Sequence, residues 1–141
     1  MSYLFWAALA LVAYTMVAPL MSVATNGNGA IPSNVATLMG NSVLVAITVG
    51  VVVFNDEHPA QYLTEPKAAY VYAAGACLAV GILAYYRGLS QGPVSVVSPI
   101  FGMFLVTSSA LGILVLNEPA SARKLAGIGL AVVSVYLVST G

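Results

Sequence analysis

The chain has 141 residues, 60 % of them hydrophobic and only 6 % charged, and its four basic and four acidic side chains give a formal net charge of zero. A soluble domain carries about 25 % charged residues, so this composition excludes a globule hydrated on all sides. It also lacks the basic footprint of a nucleic-acid-binding protein. The single cysteine, Cys77, cannot form an intrachain disulfide and by itself makes no metal site; it reads as a small packing residue.

Every charged residue falls in a gap between apolar runs. Five stretches are left, each near the ~20 residues that a helix needs to cross a bilayer. The first runs from Tyr3 to about Ala24. Its Ser22-Val23-Ala24 resembles a signal-peptide cleavage site, but no Lys or Arg precedes the run and the run is longer than a signal's apolar core, so it is expected to stay as a span. Tyr14, Ala18, Ser22 and Thr25 share one face, and Pro19 beside them removes a backbone hydrogen bond, making either a hinge or a fixed bend. Asn26-Gly27-Asn28-Gly29 reads as a flexible hairpin, and Pro32 suits the first turn of the next helix.

The second stretch, Ile31 to Phe54, carries Asn34, Thr37, Asn41 and Thr48 at offsets that put them on one helical face. Two readings of this stripe stay open: the lining of a pathway, and hydrogen bonding between membrane helices. A loop from Asn55 to Lys67 follows, containing His58, which reads as a solvated histidine. The third stretch, Ala68 to Tyr86, ends at Tyr85-Tyr86-Arg87. The fourth, Val94 to Leu116, has Pro99 in its first turns and a small-residue side of Ser95, Ser98, Gly102, Ser109 and Gly112. The fifth, Leu125 to Val138, can be extended to Ala122 and Ser139, and its small face is Gly127, Ala131 and Ser134. Small residues three or four apart let membrane helices approach closely.

Each stretch is expected to be a helix, because lipid offers no partner to backbone groups and a helix satisfies its own. The apolar alternation of a porin strand is absent. The expected fold is therefore an all-α membrane domain of five transmembrane helices covering residues 1–141, with short loops that make successive helices antiparallel neighbours. Tyr3, Trp6, Tyr70, Tyr72, Tyr85 and Tyr86 lie near helix ends, as interface anchors do; a contact between a Tyr ring and a ligand is the alternative. Glu118 is placed to complement the dipole of the last helix and to pair with Arg123 or Lys124.

Lys67, Arg123 and Lys124 fall on the N-terminal side of the membrane and Arg87 on the other. Three against one favours a cytoplasmic N-terminus and an outside C-terminus in the cell membrane. So thin a margin keeps a mixture of both orientations open. No Asp, Glu, Lys, Arg or His lies in the middle of a stretch, where a proton-coupled pump holds its ionisable group. The signatures of hydrolases, zinc proteases and phosphate-binding loops are missing, so neither an enzyme nor a cofactor is expected.

The run AYYRGLSQGPVSVVSPIFGMFLVTSSALGILVLNEPASARKLAGIGLAVVSVYLVSTG, from Ala84 to the C-terminus, resembles the EamA-like domain of the drug/metabolite transporter superfamily. The features that carry the likeness are Tyr85-Tyr86-Arg87, the segment Gly92-Pro93-Val94-Ser95-Val96-Val97-Ser98-Pro99-Ile100, Glu118 after the fourth helix, and Gly127 and Gly129 in the last. Members of that superfamily typically have ten helices in two five-helix halves of opposite orientation, with the substrate near the midplane between them. The resemblance implies that this chain is one such half. Two copies in opposite orientation, or a homologous half-size partner, would supply the other. Some four-helix relatives use a carboxylate in helix one; no acid stands there in this chain, and their proton coupling is not carried over.

The expected function is transport of small organic molecules across the bilayer by a dimer of five-helix units with alternating access. The expected pathway residues are Tyr14, Asn41, Tyr86, Ser95 and Ser98, with Pro19 and Pro99 as bend points. A non-transporting membrane subunit beside a homologous partner, and a small lipid-headgroup flippase, are the other readings.

Overall fold

In a computed structural model, which describes residues 3–140, the apolar stretches are helices. α1 (Tyr3–Thr15) and α2 (Val17–Thr25) together form the first span. The others are α3 (Ser33–Phe54), α4 (Ala68–Leu89), α5 (Val94–Val115) and α6 (Ala122–Thr140), and one 3₁₀ turn, Pro59–Tyr62, interrupts the loop between α3 and α4. Five helices among the described residues are long and apolar enough to cross a membrane. By their internal contacts they fall into two compact units, Met1–Ser90 and Gln91–Gly141.

The helix ends follow from local chemistry. Pro32 and Pro93 sit immediately before α3 and α5, with extended ψ values of 135° and 140°. Their carbonyls accept the first helical bonds, from Ala36 (2.9 Å) and Val97 (3.0 Å). Proline costs nothing there, since its missing N–H would have no partner inside the helix. Ser121 starts α6: its hydroxyl accepts from the Lys124 amide at 3.2 Å, an N-cap bond. α3 and α5 both close through a non-glycine residue in the left-handed region, Asp56 and Asn117, each with φ near 55°. Asp and Asn tolerate that conformation better than other side chains. In both places the next residue is a glutamate whose amide reaches back to the helix, Glu57 to Val52 and Glu118 to Gly112.

α4 runs three residues past Tyr86, to Leu89. The charge of Arg87 does not end it, because a long basic side chain can reach the interface from inside the last turn.

The first unit buries little, and it does so at one end. Its buried residues are Ala18 and Thr25 of α2, Ala36 and Thr37 of α3, and Tyr86 and Leu89 of α4. The end of α2, the start of α3 and the end of α4 share the membrane side opposite the N-terminus, since each span reverses direction. A side-chain bond fastens this end: the Asn26 amide donates to the Leu89 carbonyl at 3.0 Å and to the Ser22 carbonyl at 2.8 Å. Leu89 is fully buried. The hairpin that follows Asn26 closes through the Ile31 amide and the Ala24 carbonyl at 2.9 Å, with Gly27 and Gly29 at positive φ. The first residue of the predicted flexible hairpin is therefore a tie point, and only the glycines need conformational freedom. At the other end Trp6, Phe54 and Tyr70 stand exposed.

In the second unit α5 and α6 pack side by side, with Gly112 buried. The Glu118 side chain folds back over it: a Cβ at Gly112 would lie 3.3 Å from the Glu118 carboxyl carbon. The expected pairing of Glu118 with Arg123 or Lys124 does not form among the described residues, and the Lys124 ammonium instead donates to the Pro119 carbonyl at 3.0 Å. The tight turn through Asn117 carries the carboxylate back along α5 and away from the first turn of α6.

Replacing Asn26 with Leu removes the tie between α2 and α4. Unfolding in mild detergent should become easier by about 1 kcal/mol, whereas Asn28→Leu, at an exposed loop position, should leave the midpoint unchanged.

Candidate functional site

The candidate residues are best taken unit by unit. In the first unit the interruption between α1 and α2 falls at Met16, three residues before Pro19. Proline has no N–H to give the carbonyl four residues back, so Pro19 denies Thr15 its helical donor. The chain adjusts by tightening: the Met16 amide bonds to Ala13 at 3.4 Å, and the ladder resumes with Leu20 to Met16 at 3.2 Å. Tyr14 lies just before this break and is largely exposed.

Tyr86 approaches from α4 and is buried at the sealed end of the unit. Tyr85 packs its ring 5.7 Å from that of Tyr86. Tyr14 stands on the first span beside the Met16 interruption and Tyr86 near the end of α4, two elements of the same unit.

Asn41 lies on α3, half-buried, and its amide donates to the Thr37 carbonyl of its own helix at 3.0 Å. The other threonines of that stripe behave alike: Thr37 donates to Ser33 at 2.7 Å and Thr48 to Leu44 at 2.8 Å. Thr37, Asn41 and Thr48 of the polar stripe each give a donor to their own backbone. The Asn41 amide oxygen has no such obligation to the helix, because a side-chain carbonyl only accepts.

Ser95, Ser98 and Pro99 belong to the second unit. Ser95 is exposed, and Ser98 and Pro99 are half-buried. Pro99 lies inside α5, which continues unbroken from Val94 to Val115. By the same rule as at Pro19, it withholds the i+4 donor from the Ser95 carbonyl. Ser95 thus offers a hydroxyl and a carbonyl released from the helical ladder at one point. Each of the two proline-containing spans has such a polar spot, Thr15 in one and Ser95 in the other.

Sequence reasoning missed Asn26 as a connector and the fold-back of Glu118. For Asn26 the available signal was its place directly after a helix, where a side-chain amide can reach free carbonyls. The Glu118 contact had no local signal beyond a glycine six residues earlier. No group of three or more His, Cys, Asp or Glu among the described residues is arranged to hold a metal ion.

The model of the EamA-like transporter family matches residues 1–140. No curated protein and no solved structure matches the chain.

Pro19→Ala should restore a donor to the Thr15 carbonyl and join α1 to α2. In amide hydrogen exchange, positions 16 to 20 should then exchange at the slow rate of the neighbouring turns. Exchange as fast as in the native chain would show that the break does not depend on Pro19.

Proposed function

The chain belongs to the EamA-like transporter family, and from that premise we propose that it carries small organic molecules across the membrane as a dimer of five-helix units by alternating access. It is a multi-pass membrane protein of the drug/metabolite transporter type. What supports the finer reading is the uneven burial of the first unit. Six buried residues gather at one membrane end, so the rest of its helical surface is left for lipid, substrate or a second copy. In an inverted-repeat transporter one half packs and moves against the other, and a helical surface left largely uncovered leaves room for such a partner.

Tyr14, Asn41 and Tyr86 in the first unit, and Ser95 and Ser98 in the second, are the proposed pathway residues. All five are neutral. They supply aromatic faces, hydroxyls, an amide oxygen and a released carbonyl, which suits amino acids, metabolites or amphiphiles better than inorganic ions. Pro19 and Pro99 are the proposed bend points. Family membership carries no catalytic chemistry, and transporters of this kind are generally not enzymes.

The dimer is proposed to be antiparallel. Inverted halves are the arrangement on which the superfamily's alternating access rests, and a basic-residue balance of three to one holds orientation only weakly. The proposed setting is the cell membrane, with both orientations present.

Two measurements test the proposal. In the Cys77→Ala background, a cysteine placed at position 139 should react with a membrane-impermeant thiol reagent in about half of the molecules in intact cells. Labelling of nearly all or nearly none would mean a single orientation and would defeat the antiparallel homodimer. In proteoliposomes assayed with a panel of radiolabelled neutral amino acids and an amphiphilic dye, Asn41→Leu should lower the transported flux about tenfold at equal incorporation, the factor that ~1.4 kcal/mol gives. Unchanged flux would remove Asn41 from the pathway.

A further inference from the structure

The second unit holds a cavity of about 440 Å³ between α5 and α6. It exists because the facing positions are small: Ser109 on α5, and Gly127 and Ala131 on α6. Its walls are apolar, formed by Leu105, Ile113 and Ile128, with Leu105 farthest from the loop end of α5. Its floor at the loop end carries two opposite charges, Glu118 and Lys124. These two make no ion pair with each other. The carboxylate lies back against Gly112, and the ammonium spends one of its three donors on the Pro119 carbonyl.

We propose that this groove binds a phospholipid whose headgroup carries a primary ammonium, with the ammonium on Glu118, the phosphate on Lys124 and one acyl chain along the apolar walls. The proposal goes beyond the transport reading and does not depend on it. Three observations select this occupant.

The first is depth. On α5 the lining runs from Leu105 to Ile113, a rise of about 12 Å at 1.5 Å per residue. That lies within half of a hydrocarbon core of ~30 Å, the depth of one leaflet. A transmembrane helix from a second copy would need a groove through both leaflets.

The second is the place of the charges. Glu118 follows the end of α5 and folds its carboxylate back over Gly112 in the last turn, and Lys124 is in the first turn of α6, so both charges stand at the loop end of the groove.

The third is charge complementarity. One carboxylate and one ammonium, unpaired on the same floor, match a zwitterion with a positive and a negative end. An anionic headgroup would meet the Glu118 charge without compensation. A choline headgroup has no N–H to donate, and charge-assisted hydrogen bonds are the stronger kind. The start of α6 adds its helix dipole on the side where the phosphate would sit.

The test uses the full chain purified in mild detergent and incubated with an equimolar mixture of phosphatidylethanolamine, phosphatidylcholine and phosphatidylglycerol. Lipids retained after gel filtration are measured by mass spectrometry. Phosphatidylethanolamine should be enriched over phosphatidylcholine about tenfold, the size of effect that one charge-assisted hydrogen bond gives. Glu118→Gln should bring that ratio close to one, and Ala131→Phe, which fills the groove and leaves both charges, should lower retention of all three lipids. Equal retention of the three lipids by the native chain would overturn the proposal, as would an ethanolamine preference that survives Glu118→Gln. If Glu118→Gln does not fold, unchanged retention by Ala131→Phe overturns it instead. Displacement of the bound lipid by a soluble zwitterion such as alanine would mean that the groove takes a free solute. A photo-crosslinker at Ile128 that captures a second copy of the chain rather than lipid would mean that a helix fills it.

Discussion

Lipid gives a peptide group no hydrogen-bond partner, and the rest of this molecule is arranged around that fact. The backbone answers with helical spans of 19 to 23 residues, the first of them interrupted at Met16. The side chains answer in the same way: Thr15, Thr25, Thr37, Asn41, Ser42, Thr48 and Ser109 each donate to a carbonyl one turn back on their own helix. A polar group so occupied costs little in an apolar medium, whereas an unsatisfied one costs several kcal/mol. Most of the polar residues in the spans are therefore silent. Backbone and side-chain acceptors are left over where the ladder lacks a donor, at Pro19 and Pro99, and at the Asn41 amide oxygen.

This rule explains what could be read from the sequence and what could not. Five spans were legible because apolar length is dictated by bilayer thickness, and their ends were legible at Pro32, Pro93 and Ser121 because those residues have fixed roles at helix starts. The break at Met16 was displaced from its cause: Pro19 marks the missing donor, but the strain appears at the carbonyl four residues earlier. The stripe of Asn34, Thr37, Asn41 and Thr48 was correctly placed on one face, yet periodicity cannot say where a hydroxyl donates. The bond of Asn26 to Leu89 joins residues 63 positions apart, and no local pattern contains it. The fold-back of Glu118 depends on the left-handed turn at Asn117, which a sequence of Asn-Glu-Pro does not specify. Of the candidate pathway residues, Tyr14, Asn41 and Tyr86 belong to the first unit, and Ser95 and Ser98 to the second.

Burial within the first unit has a functional reading that stability alone does not supply. Ala18, Ala36 and Thr37 are small, and they let α2, α3 and α4 close on Tyr86 and Leu89 at one end only. A protein that needed just to persist in lipid would gain by packing its helices along their full length. At the other end Trp6, Phe54 and Tyr70 stand exposed, and that surface is left to lipid or to a partner helix.

The charges obey the same logic at the membrane surface. All eight lie in loops or end turns, where water or headgroups can solvate them, so none is available at mid-membrane to couple transport to a proton. What charge can still do is act at the interface. Glu118 and Lys124 stand at the loop end of the groove between α5 and α6, where its charged floor opens. In an antiparallel pair, the two copies would present that floor to opposite leaflets. A headgroup-selective groove would then favour, in each leaflet, whichever orientation meets its preferred lipid.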